Sequence, residues 1–171
     1  MWPAERPRGP DMKIAIGCDE AAYDLKQAIR QMLEAQGHAV ADYGTQAGET
    51  AAYPDVAIAV AEAVASGHHD RAILLCGTGI GVAISANKVP GIRAAQTHDT
   101  YSAERARKSN NAQIICLGAR VVGPELAKSI VSAYLASEFE GGGSASKVDK
   151  IIAYERAGPA HRAARGSVFV S

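Results

Sequence analysis

A chain of 171 residues, 47% hydrophobic and 21% charged, can bury one full core and requires no second domain. Its 18 Lys and Arg balance 18 Asp and Glu, so the zero net charge leaves no footprint for nucleic acid or an acidic membrane surface. No apolar run approaches the roughly 18 residues of a membrane span, no signal peptide opens the chain, and Cys18, Cys76 and Cys116 lack disulfide or zinc spacing, so a cytoplasmic protein without metal or cofactor is expected.

Residues 1–11 hold three prolines and no apolar period, and read as a disordered leader with Met12 as the functional start. A first strand over 13–17 ends at Gly17-Cys18-Asp19-Glu20. The helix that follows, 21–36, carries Leu25, Ala28, Ile29, Met32 and Leu33 on one face and is stopped by Gly37. A second strand (38–43) and a polar loop (44–52) lead to Tyr53-Pro54, which opens a helix over 55–66. Residues 72–75 form the central apolar strand. Cys76 stands where it stops, Gly77, Gly79 and Gly81 turn the chain, and 80–88 reads as a helix whose first N–H groups point back at a ligand. A fourth strand (91–96), a helix from His98 capped by Asp99 or Thr100, a fifth strand (112–117) and a helix over 123–138 follow. Residues 140–144 are a flexible joint and 146–156 a last helix. The tail, 157–171, is left between disorder and a subunit contact.

Five strands alternating with helices imply a single α/β domain over 12–156, a three-layer Rossmann-like (flavodoxin-like) fold with a five-stranded parallel sheet. Ligands of such sheets bind at the strands' carboxyl edge, where Asp19, Cys76, His98 and the segment after Leu117 fall. The glycine loop fits neither nucleotide fingerprint: no Lys follows its second glycine, and no glycine ends a G-x-G-x-x-G. The bland reading of Cys76 is a small buried apolar side chain, which three glycines directly after it weaken.

The residues also carry a resemblance. Gly17-Cys18-Asp19, Tyr53-Pro54, Cys76-Gly-Thr-Gly-Ile-Gly81, Ser85-Ala-Asn-Lys88, Gly91-Ile-Arg-Ala94, Tyr101-Ser-Ala103, Asn110, Leu117-Gly-Ala-Arg-Val-Val-Gly123, Glu125-Leu-Ala127 and Glu138-Phe-Glu-Gly-Gly142 occur in this order. Together they resemble the ribose-5-phosphate isomerase B family, which includes galactose-6-phosphate isomerase subunits. The resemblance runs from about Met12 to Glu155. It implies a metal-free aldose–ketose isomerase that works through a cis-enediolate, as a homodimer or homotetramer whose subunits complete each other's sites. By it Cys76 is the base, helped by the backbone N–H groups of Gly77, Gly79, Ile80 and Gly81. Thr78 and Asp19 hold the sugar hydroxyls and assist ring opening, Tyr53 lines the site, Asn110 donates to the enediolate and Arg120 reaches an anionic end of the substrate, in its own subunit or across a subunit boundary. For Asp19 the bland alternative is helix capping, and for Arg120 a surface ion pair.

The pattern also departs from the family. The pentose-phosphate enzymes have His where this chain has Glu20, a ring-opening His at Ser109, and two phosphate-binding Arg at Gly143 and Lys147. Loss of the ring opener suits a four-carbon sugar phosphate, which cannot close a five-membered ring and keep its terminal phosphate. His98 is a replacement proton carrier at the same edge as Cys76, or else a helix-start residue facing solvent. Three functions therefore remain open: ribose 5-phosphate isomerisation by family pattern, isomerisation of another sugar such as a tetrose phosphate, and a non-catalytic sugar-binding subunit.

Overall fold

The structure, a computed structural model, describes residues 11–164. Apart from Asp11, the leader expected over 1–11 lies outside the described residues, as does 165–171 of the tail. The elements are β1 (Lys13–Cys18), a short 3₁₀ turn (Glu20–Ala22), α1 (Tyr23–Ala35), β2 (Ala39–Asp42), α2 (Tyr53–Ala65), β3 (Arg71–Cys76), α3 (Ile80–Ala86), β4 (Ala94–Gln96), α4 (Thr100–Asn110), β5 (Ile114–Gly118), α5 (Pro124–Leu135), a second 3₁₀ turn (Gly142–Ser144) and α6 (Ala145–Ala164).

All strand pairs are parallel, and the order across the sheet is β2-β1-β3-β5-β4. The five-stranded parallel sheet with helices on both faces is the expected architecture. Its order, however, differs from the flavodoxin-like 2-1-3-4-5, because β5 lies inside the sheet and β4 at its edge. Burial accounts for the exchange: Ile114–Gly118 is apolar and wholly buried, whereas β4 has three residues and none is fully buried. The expected fourth strand, 91–96, is halved because Gly91 (φ +86°) and the Ile92 N–H to Val89 carbonyl bond (3.2 Å) keep its first residues in a turn. The last helix runs beyond 156 to Ala164, with non-helical backbone at Gly158.

Side chains that alternate along the central strands divide the core in two. Ile14, Ile16, Ile73, Leu75, Ile115 and Leu117 pack under α1, α4 and α5, while Ala15, Ala72, Leu74, Cys76, Ile114 and Cys116 pack under α2 and α3. Each fully buried Ile or Leu contributes about 1.5–3 kcal/mol. Strand order reverses between β1 and β3, which puts the crevice between Asp19, just past β1, and Cys76, the last residue of β3.

Candidate active site

At the carboxyl edge the loop after β3 is folded back onto its own strand end. Gly79, in left-handed backbone (φ +76°), directs its N–H at Cys76 Sγ from 3.1 Å, and Ile80 N–H donates to Thr78 Oγ1 at 3.2 Å. The first of these places a backbone donor where negative charge on sulfur would develop. A side chain at Gly79 would bring Cβ to 2.9 Å from the Leu117 carbonyl carbon, and one at Gly118 would meet the Thr78 backbone at 2.7 Å, so both glycines are required for the loop to lie against β5. Gln96 Nε2 donates to the Thr78 carbonyl (2.8 Å) from the end of β4. The Tyr53 ring covers Gly81, whose Cβ would fall 2.5 Å from it.

His98 does not simply face solvent. It is half-buried, and its Nε2 accepts the Gly118 N–H at 3.1 Å, which assigns the ring proton to Nδ1. Gly118 is the register partner of Cys76. Asp19 caps the 3₁₀ turn by accepting Ala21 N–H (3.1 Å), as its bland reading expects. Burial pushes its carboxyl above the ordinary carboxylate range, the Ala21 bond and the nearby Arg120 guanidinium pull it down, and the charge of Glu20 pushes it up. Arg120 forms no ion pair among the described residues. Instead its backbone N–H donates to the Gly77 carbonyl (3.0 Å) and its guanidinium lies over Gly77, with Nη1 at 3.3 Å from where a Cβ would stand. Glu20 accepts the Ala51 N–H at 3.4 Å and lines a cavity of about 590 Å³ together with Asp24, Glu49, Thr50 and Gly123.

A buried ion pair supports this edge. Lys26, without solvent exposure, donates to Asp42 (3.0 Å) and to the Thr45 carbonyl (2.7 Å), and Thr45 Oγ1 donates to the Cys18 carbonyl at 3.2 Å. The loop after β2 is thereby tied to the residue preceding Asp19. Cys18 and Cys116 are buried thiols pushed upward in pKa by that burial, Cys116 strongly, and both serve as small packing residues. Among the described residues no group of His, Cys, Asp and Glu converges to hold a metal ion.

The remaining expected site residues lie at the other end of the sheet. Helix α4 starts beside His98 and runs back about 16 Å, at 1.5 Å per residue, to the strands' amino edge. Arg93 binds the Asn110 carbonyl there (2.9 Å). Ser109 Oγ accepts two N–H groups from Arg105, at 2.9 and 2.5 Å, and Asn110 is exposed. Glu140 N–H donates to the Lys108 carbonyl (3.1 Å), so Gly143 and Lys147, both exposed, follow at this same edge. One chain therefore brings together Asp19, Tyr53, Cys76 to Gly81, His98 and Arg120, and it keeps Ser109, Asn110 and Lys147 apart from them.

The family model described as Ribose/Galactose Isomerase matches residues 14–151. The chain belongs to the ribose/galactose isomerase family. It is 63% identical over 145 residues to a D-erythrulose-4-phosphate isomerase of Pectobacterium atrosepticum, covering 84% of this chain and 95% of that protein. It is 46% identical over 144 residues to ribose-5-phosphate isomerase B of Escherichia coli, covering 84% and 97%. A solved structure of Clostridium thermocellum ribose-5-phosphate isomerase B superposes with a TM-score of 0.83 at 50% identity, covering 85% and 98%. As a member of this family the chain is an aldose–ketose isomerase of sugar phosphates. The sequence of this ribose/galactose isomerase did not single out Gln96, Gly118 or Arg105, which the structure places against the Thr78 carbonyl, His98 and Ser109. Gly118 was open to detection as a strand-end glycine in the Leu117–Gly123 motif, and Arg105 as the residue one helical turn before Ser109.

Proposed function

We propose that this chain interconverts D-erythrulose 4-phosphate and its four-carbon aldose, with Cys76 as the base, in a homodimer whose second copy supplies Ser109 and Asn110. The observation that carries the choice of sugar is Ser109. It stands where the family pattern has a ring-opening His, and its hydroxyl is taken by Arg105, so no acid–base group is left there for a cyclic sugar. A tetrose 4-phosphate is open-chain and needs none. The names of the Pectobacterium relative and of a D-erythrulose-4-phosphate isomerase 2 of Mycolicibacterium smegmatis, 52% identical over 150 residues, support the same reading.

In this reaction the Cys76 sulfur takes a proton from C1 of the ketose. The C1–H electrons form the C1–C2 double bond, and the carbonyl electrons move onto O2, where backbone donors of Gly77 to Gly81 stabilise them. The proton then returns to C2, while one hydroxyl proton moves from O1 to O2. His98, with Nε2 fixed by Gly118, offers its Nδ1–H for that transfer. Asp19, Thr78 and Tyr53 hold the sugar from the Cys76 side, and Glu20 marks the wall from which phosphate is excluded. Asn110, Arg120 and Lys147 remain available to the polar and anionic parts of the substrate. Exposed Ile80, Ile84 and Tyr101 flank this edge and suit a subunit interface. As an enzyme of sugar-phosphate metabolism it is expected to work in the cytoplasm, and among the described residues no helix is long and apolar enough to cross a membrane.

The deciding assay compares kcat/KM for D-erythrulose 4-phosphate and for ribose 5-phosphate on the same preparation. The missing ring-opening acid–base group at 109 predicts a preference of about 100-fold or more for the open-chain tetrose. Equal rates, or a preference for ribose 5-phosphate, would replace this reading with the plain family activity.

A further inference from the structure

We propose that Arg105 grips the substrate phosphate and so sets the length of sugar this enzyme accepts. The inference rests on the reading above, in which a second copy brings the Ser109 end of α4 to the first copy's Cys76. Cations gather at the sheet's amino edge. Arg71 is buried and spent on the Tyr134 and Leu135 carbonyls and Glu138. Arg93 is spent on the Asn110 and Asn111 carbonyls, and Arg107 on Glu138 and the Ala112 carbonyl. Lys108 is held between Glu104 (3.0 Å) and Glu140 (3.8 Å).

Arg105 is different. Its Nε and Nη2 both lie on Ser109 Oγ, Nη2 also meets the exposed Glu140 at 3.3 Å, and Nη1 has no hydrogen-bond partner among the described residues. One third of the side chain is exposed. The small Ser109 leaves room for this fork, which a histidine at 109 would displace, so wherever Ser109 is delivered the guanidinium arrives with it. A planar fork matches phosphate bidentately, and Glu140 is the one carboxylate it must share or release. The two positions where the family pattern grips phosphate are here a glycine, with nothing within 4 Å of its Cβ direction, and an exposed Lys147 one helical turn further on. In a tetrose 4-phosphate the phosphate sits one carbon closer to the reacting carbons than in a pentose 5-phosphate. A cation mounted beside Ser109 suits that shorter reach.

The test compares Arg105→Met, Arg105→Lys and Lys147→Met with the full wild-type chain, using D-erythrulose 4-phosphate, unphosphorylated erythrulose and inorganic phosphate as a competitive inhibitor. Arg105→Met is expected to raise KM for the phosphorylated sugar about 30-fold, to abolish inhibition by phosphate, and to lower the preference for phosphorylated over unphosphorylated sugar. Arg105→Lys restores part of each, and Lys147→Met changes them far less. Unchanged phosphate inhibition in Arg105→Met, an equal loss on both sugars, or a larger effect in Lys147→Met overturns the proposal. If wild-type enzyme prefers ribose 5-phosphate, the tetrose reading fails, and the same comparison on that sugar still decides the role of Arg105.

Discussion

Beside Cys76, at the carboxyl edge, the sheet presents glycines, backbone N–H donors and a histidine that accepts through Nε2, together with Asp19, Glu20 and the overlying Arg120. At the amino edge, roughly 17–20 Å away by the length of β3, Arg71, Arg105, Arg107 and Lys108 face Glu104, Glu138 and Glu140. Under the proposed function the two edges divide the labour. Proton transfer needs fixed donors around a reactive sulfur, and a charged anchor there would compete for it. Holding a phosphate dianion needs mobile, partly exposed cations. On the proposed function the two edges meet between copies.

That contrast can be broken first at the carboxyl edge's own support. Lys26→Met would leave the buried Asp42 carboxylate with only the more distant Arg30 guanidinium (3.4 Å) and the Gly44 N–H (2.8 Å), and is expected to destabilise the chain by about 3 kcal/mol, the low end for a broken buried pair, with part of the loss recovered in Lys26→Met/Asp42→Leu. Urea unfolding of the three variants checks this. Recovery by the double variant would identify the stranded charge, rather than lost packing, as the cause.

Glycine chemistry sharpens the same comparison at smaller cost. Gly118→Ala would drive a Cβ to within 2.7 Å of the Thr78 backbone, for an expected loss of about 1–3 kcal/mol from overpacking and about 100-fold in kcat from displacing the loop that holds Cys76. Gly143→Ala, at the amino edge, meets nothing within 4 Å and should leave Tm unchanged. Thermal melts and initial rates on the two variants separate the edges.

The smallest effect is acid sensitivity at the amino edge. His38 accepts Met12 N–H through Nδ1, and His69 packs against Tyr43; burial lowers the pKa of both below the ordinary imidazole value of about 6.5. The unfolded chain therefore binds more protons there, so their contribution to stability is present above about pH 6.5 and declines as pH falls through the folded-state values. Tm should fall between pH 7 and 5, less steeply in His69→Gln.

Much of this was legible in the sequence because local signals agreed with the fold. The apolar 72–75 run, the cysteine at its end and the following glycines specify a buried strand and a tight turn wherever they stand. Asp99 and Thr100 were both readable as the helix cap, and it is Asp99 whose carboxylate accepts the Ser102 N–H. The place of β5 inside the sheet was not legible, since strand order depends on how much apolar surface each strand must cover, and β4 proved too short to do so. The separation of Ser109 and Asn110 from Cys76 was likewise hidden. A family motif orders residues along a chain without saying where in space they fall, and it is the direction of α4 that carries Ser109 and Asn110 to the amino edge. Arg105 escaped because its meaning lies in what the small side chain at 109 leaves open.

Complementation tests most directly the claim that the two edges form one site across two copies. Cys76→Ala and Asn110→Ala, each folded and nearly inactive alone, are mixed under conditions that allow chains to exchange. A symmetric dimer then forms mixed pairs with one site intact and one doubly damaged, and activity should return to about a quarter of the wild-type level at equal mixing. No recovery after demonstrated exchange, or an active monomer in sedimentation, would contradict the account.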